Sequence, residues 1–247
     1  MCGIVGVLNT DGKPVSIVTL RAMTDAVAHR GPDGEGCYTD SVIGLGHRRL
    51  AIIDLSPAGH QPMVTADGDM VLTYNGEVYN FQELRTELEA KGHWFHSKTD
   101  SEVVLNAYKE WGPGCVDRFD GMFAFAVWDK RNQQLFLARD RYGIKPLYYT
   151  QLGTTFLFAS EIKAMRRHPA FRDVALDPAA VHPGSGEKEV VLGGHARVLR
   201  LREANAMIPV IYRPVIYRMG YGPRHPCARR NSRLGTPALT PRLRCVA

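Results

Sequence analysis

Four short apolar runs crowd into residues 121–161: "GMFAFAVWD", "QLFLARD", "PLYYT" and "TFLFASE", separated by turn residues. Runs of this length and composition read as strands, and consecutive strands joined by short turns form antiparallel meanders. Strands that apolar must be covered, and the rest of the first 181 residues supplies covers. "SIVTLRAMTDAVAHR" puts Leu20, Met23 and Val27 at the spacing of one helix face. "NFQELRTELEAKG" starts at a capping Asn80, carries Phe81, Leu84 and Leu88 on one stripe and stops at Gly92. "TDSEVVLNAYKEWG" spaces Thr99 and Glu102 as a capping box, and "EIKAMRRH" reads as a short helix. Further strands are predicted in "CGIVGVL", "VIGLGHRRLAIID" and "DMVLTYNGE". The expected class is α+β, two stacked antiparallel sheets covered by helices. No repeat of solenoid period is present.

The pattern ends near Val181. Residues 182–247 carry eleven Arg and one Lys against three Glu, a net charge of +9, which leaves −3 of the total +6 for residues 1–181. All nine Phe and all three Trp precede the break, and seven Pro follow it. Such a tail buries too little apolar surface to offset its chain entropy, so it is expected to be largely disordered. The domain division is therefore 2–180 and 181–247. Cys2, Cys37, Cys115, Cys227 and Cys245 are scattered and odd in number, which argues against a disulfide framework or zinc ribbon and for a reducing compartment. No secretory leader pattern and no apolar stretch of bilayer-spanning length occurs, so a cytoplasmic location without membrane contact is expected.

The stretches that could carry chemistry are Cys2 in "MCGIVG", "HRGPD" at 29–33, "GHRRLAIID" at 46–54, "YNGE" at 74–77 and "KTDSE" at 98–102. Each has an ordinary structural reading. HRGPD makes a plausible turn, with Gly31 supplying flexibility, and Asn-Gly is a strong hairpin dipeptide. Arg49 could be a solvated strand residue, and Asp100 could meet the dipole of a helix. His29, His47 and His60 lack metal-ligand spacing, so no metal site is expected. "GVLNTDGKP" fails as a phosphate loop and "GLGHRR" as a dinucleotide fingerprint.

Taken together, these motifs with "FDGMFAFAVWD", "LARDRYGIKPLYY" and "FASEIKA" resemble the class II glutamine amidotransferase domain. The resemblance is nearest to the amino-terminal domain of glutamine-dependent asparagine synthetase. It covers about residues 2–180 and implies an N-terminal-nucleophile hydrolase sandwich of αββα layers. It also implies that Met1 is removed, that Cys2 attacks the glutamine carboxamide, and that its own α-amine acts as base. By the same resemblance, the side-chain amide of Asn75 and the backbone N–H of Gly76 hold the oxyanion, and Arg49 holds the substrate carboxylate. Glu77 and Asp100 meet its ammonium, Leu50, Ile52 and Ile53 line the pocket, and Arg30 supports it from beside Cys2.

A complete synthetase of this kind would continue into an ATP- and Mg-dependent domain with a Ser-Gly-Gly-x-Asp-Ser loop, which these 247 residues do not contain. No cofactor is expected for the fragment itself, and glutamine is the expected small-molecule partner. A synthetase domain or a second copy are the expected protein partners, and nucleic acid is not expected. The tail reads best as out-of-frame or truncated sequence, with a basic arm for an acidic partner or nucleic acid as the alternative. If Met1 stays or the site is misaligned, the expectation becomes a non-catalytic binding module.

Overall fold

The strand β1 (Gly3–Asn9) lies in the middle of its sheet, paired antiparallel with β3 (Ile43–Arg49) on one side and β9 (Thr155–Ala159) on the other. Its side chains alternate as a strand's must. Ile4 and Leu8 face a core shared with the second sheet, while Val5 and Val7 pack under the helix α1 (Ile17–Asp25). Cys2 stands immediately ahead of this central strand.

The computed structural model describes residues 1–171 together with three strand segments of the tail, 195–200, 213–214 and 244–246. With β2 (Gly34–Asp40), β4 (Met63–Val64), β5 (Met70–Val78), β6 (Gly121–Asp129), β7 (Gln134–Arg139), β8 (Leu147–Leu152), β10 (His195–Arg200), β11 (Arg213–Pro214) and β12 (Arg244–Val246), the strands form two antiparallel sheets. Their orders are β12-β8-β9-β1-β3-β2 and β11-β10-β7-β6-β5-β4. The strand β6 is apolar from Met122 to Trp128 because both its faces are covered. Ala124, Ala126 and Trp128 meet the first sheet, and Phe123, Phe125 and Val127 meet α2 (Phe81–Ala90) and α3 (Asp100–Trp111). The helices α1 and α4 (Ile162–Met165) cover the first sheet's outer face. The layers run helix, sheet, sheet, helix, as the sequence led us to expect. The rest of the tail expectation lies outside the described residues.

Several local readings need correction. The four strands at 121–159 do not form one meander. They form two hairpins in different sheets, and the chain crosses between sheets at residues 140–146. The buried Asp140 anchors that crossing. Its carboxylate accepts from the N–H groups of Phe123 (3.2 Å), Tyr142 (3.1 Å), Ile144 (2.9 Å) and Lys145 (3.0 Å). Asn80 precedes α2 without capping it and ties to the Arg118 carbonyl and the Asp120 N–H instead. The capping box of α3 is only half formed. Thr99 Oγ1 accepts from Glu102 N–H, but the Glu102 carboxylate turns to Ser97 and the N–H of His96. The predicted strand 42–54 ends at Arg49, and residues 50–54 leave the sheet with Ile52 and Ile53 exposed.

Candidate active site

β5 is built to leave part of its edge open. In an antiparallel strand the N–H groups of alternate residues face the same side. The odd residues of β5 face β6, so those of Leu72, Tyr74, Gly76 and Val78 face outward. β4 reaches only Leu72 and Val71. Beyond it, two side chains stand in for a strand. Gln61 Oε1 accepts the Tyr74 N–H at 2.7 Å, and Asp100 Oδ2 accepts the Val78 N–H at 3.1 Å. Between them the Gly76 N–H points into a cavity of about 290 Å³, near the lower end of small-molecule pockets. The Asn-Gly pair therefore sits inside a strand, not in the hairpin turn that the dipeptide alone would favour.

Asn75 faces the other way, toward the first sheet, on the same side of β5 as Val71. It is 1% exposed, and its Nδ2 has no hydrogen-bond partner among the described residues. Cys2, Arg49, Leu50, Ile52, Ile53, Asn75, Gly76, Glu77 and Asp100 all line this cavity. Nine of the ten residues singled out in the sequence thus converge. The tenth, Arg30, lies behind, donating from Nε to the Cys2 carbonyl at 2.9 Å.

The thiol of Cys2 lies against the loop that leaves β3. Leu50 N–H donates to Sγ at 3.3 Å, and the thiol faces the Leu50 carbonyl at 3.6 Å. Burial pushes the Cys2 thiol up, and the Leu50 N–H, the chain's amino terminus and Arg49 offset this only in part. The loop leaves the sheet because its polar groups have other partners. Asp33 accepts the Ala51 N–H at 2.9 Å, and the Arg49 guanidinium donates to the Ser56 carbonyl at 2.8 Å and to the Asp54 carbonyl. Gly31 matters here for space, not flexibility. A Cβ there would lie 2.3 Å from the backbone carbon of Arg48, so the HRGPD turn rests directly on the end of β3.

At the far wall, Asp100 opens α3 and is 4% exposed. Burial raises its carboxyl above the usual range, against the hydrogen bonds it accepts from the Tyr74 hydroxyl (2.6 Å) and Val78. Sequence reading missed Gln61, Tyr74, Ser101, Met122 and Lys145, which share the cavity. Tyr74 could have been found from the alternation that pairs it with Gly76. Gln61 and Lys145 come from loops and give no periodic signal. Among the described residues no cluster of three or more His, Cys, Asp or Glu is arranged to hold a metal, and no helix is long and apolar enough to cross a membrane.

The chain is 47% identical over 172 residues to asparagine synthetase [glutamine-hydrolyzing] 3 of Bacillus subtilis, covering 68% of this chain and 28% of that protein. It is 44% identical over 160 residues to amidase chry2 of Gibberella zeae, covering 64% and 24%. Curated relatives such as these are three to four times longer than the stretch they share with it. The fold resembles that of glutamine phosphoribosylpyrophosphate amidotransferase from B. subtilis, with a TM-score of 0.62 at 19% identity over 81% of this chain and 47% of that one. The sequence pattern described as "Glutamine amidotransferase domain" matches residues 1–184, and it is to that family that the chain belongs.

Proposed function

We propose that the folded unit hydrolyses glutamine to glutamate and ammonia, with Cys2 as an N-terminal nucleophile. Removal of Met1 frees the Cys2 α-amine, whose ordinary pKa near 8 leaves a usable fraction unprotonated at neutrality. A half-buried thiol whose pKa is raised needs such a base beside it. The amine takes the thiol proton, through a water, as Sγ bonds to the carboxamide carbon. It returns that proton to the departing nitrogen as the C–N bond breaks and ammonia leaves. Water, activated by the same amine, then adds to the thioester. The C–S bond breaks, the thiol is restored and glutamate departs.

Both tetrahedral intermediates carry an oxyanion that needs waiting donors. The observation that carries the reading is the pair found on β5: a buried Asn75 amide nitrogen without a partner and a Gly76 N–H on an open edge, both in the cavity that holds Cys2. Arg49 suits the substrate carboxylate, for which its planar fork is well shaped. Glu77 and Asp100 suit the ammonium, and Leu50, Ile52 and Ile53 supply walls. The half-reaction as written uses protein groups and water. ATP and Mg²⁺ belong to a synthetase domain, to which the ammonia would pass in relatives named for asparagine synthesis. The family pattern ends at residue 184, close to the change of composition at 181, which supports a boundary there, while the tail segments 195–200, 213–214 and 244–246 add strands to the edges of the two sheets. The unbridged Cys2, Cys37 and Cys115 suit a cytoplasmic location.

Intact-mass measurement after treatment with a glutamine analogue bearing a chloroketone in place of the carboxamide tests the proposal. One adduct on an N-terminal Cys2 is expected, with glutaminase activity absent from Cys2→Ala. Activity retained by Cys2→Ala would overturn it.

A further inference from the structure

Chain termini fray unless something ties them, and the nucleophile proposed above stands at one. On the side of β9 the ladder holding β1 ends where Val5 faces Ala159. Ser160 carries the grip one step further: its N–H donates to the Ile4 carbonyl at 2.8 Å, and the Ile4 N–H donates to its Oγ at 3.0 Å. The step beyond that belongs to Glu161, and it works through an intermediary. Glu161 Oε1 accepts from Arg30 Nη1 at 3.0 Å, and Arg30 Nε holds the Cys2 carbonyl at 2.9 Å. The Arg30 side chain is only 9% exposed, and a guanidinium that deep requires a counter-charge. Glu161 is also braced by His29 Nε2 (2.9 Å) and, on its other oxygen, by Lys163 Nζ (3.0 Å).

We propose that Glu161 is a positioning residue for glutamine hydrolysis, fixing the Cys2 main chain, and with it the reacting amine and thiol, through Arg30. The inference rests on the reading of Cys2 as nucleophile. Glu161 does not line the cavity and touches no substrate. Without its carboxylate the buried guanidinium is drawn toward water and releases the Cys2 carbonyl. The carboxylate is dependable: burial pushes it up, but hydrogen bonds from Lys163, Arg30 and His29 outweigh this and hold its pKa at about 2. It is ionised wherever an amine could serve as base.

The test compares the full chain with Glu161→Ala and Glu161→Gln. The readouts are kcat and KM for glutamine and the rate of Cys2 alkylation by the chloroketone analogue. Glu161→Ala should lower kcat and the alkylation rate by roughly 10- to 100-fold, the scale expected for a misplaced reacting group, with KM near its original value. Glu161→Gln keeps an acceptor for Arg30 and should recover part of the loss. If Glu161→Ala does not fold, Glu161→Gln decides by the same criteria. A folded variant with unchanged kcat and alkylation rate would overturn the proposal. So would a rise in KM with kcat preserved. If the parent chain's Cys2 resists alkylation and Cys2→Ala keeps activity, the nucleophile reading falls instead.

Discussion

Asn75 holds a buried amide nitrogen with no hydrogen-bond partner among the described residues. A buried donor left unpaired costs about 1–3 kcal/mol, so a fold keeps one only where something else requires it. If an oxyanion is what it meets, the amide contributes in the transition state and hardly at all in the ground state. Asn75→Ala is then expected to lower kcat about 100- to 1000-fold with little change in KM. Its thermal stability should stay close to the parent's, because the lost group has no partner through Nδ2 in the folded chain. A steady-state series with a melting curve on the same sample checks both. A large rise in KM with kcat intact would assign Asn75 to ground-state binding. Asp100, by contrast, spends Oδ2 on Tyr74 and Val78 whatever occupies the cavity, so it shapes the wall as well as offering charge.

At the scale of elements, β5 is open only beyond the short β4, and side chains replace the missing neighbour there. Gln61 is one replacement, and it also ties β5 to α3 by donating from Nε2 to Ser101 Oγ at 3.2 Å. Gln61→Ala leaves the buried Tyr74 N–H and Ser101 hydroxyl unpaired, and is expected to destabilise the chain by about 1–3 kcal/mol and to lower kcat as the neighbouring Gly76 N–H loses its setting. Urea unfolding and glutaminase assays measure the two effects, and an unperturbed variant would remove Gln61 from the account. The sequence carries no sign of this arrangement, and the reason is physical. Residues 121–129 announce a strand because a short apolar run bounded by turn residues is a local signal. That β7 and β8 part company at Asp140 depends on a carboxylate collecting four N–H groups, which no periodicity records. The candidate site was largely legible because Cys2, HRGPD, GHRRLAIID, YNGE and KTDSE together resemble a known domain, whereas each motif alone had an ordinary structural reading. Gln61 and Lys145 reach the same cavity only through the path of loops. Asn80 and Glu102 show the complementary error: residue types suited to caps were drawn to other partners once the surrounding turns formed.

The whole molecule depends on two sheets staying in register, and the surface between them is almost wholly apolar. One polar seam crosses it, where His47 Nε2 of β3 meets the Tyr74 carbonyl of β5 at 3.0 Å and Thr73 Oγ1 donates to the Gly46 carbonyl at 3.1 Å. Burial drives the His47 pKa down to about 3, so the ring is neutral and Nε2–H is the donor, while Nδ1 has no partner among the described residues. A second proton would be buried with nothing to receive it. The unfolded chain takes that proton near pH 6.5 and the folded chain not until about 3, so the unfolded state binds more protons in between. Stability contributed by this residue is therefore complete above about pH 6.5 and is lost as pH falls toward 3, with a slope of up to about 1.4 kcal/mol per pH unit. His47→Gln can still donate to the Tyr74 carbonyl but does not titrate. Between pH 6.5 and 4.5 its unfolding free energy is expected to fall by about 2–3 kcal/mol less than the parent's. Parallel urea titrations at the two pH values make the comparison. Because the seam adjoins Asn75, the parent should also lose glutaminase activity on acidification faster than protonation of the Cys2 amine alone requires, and His47→Gln should lose it more slowly. Identical acid slopes in the two chains would mean that His47 does not set the acid response.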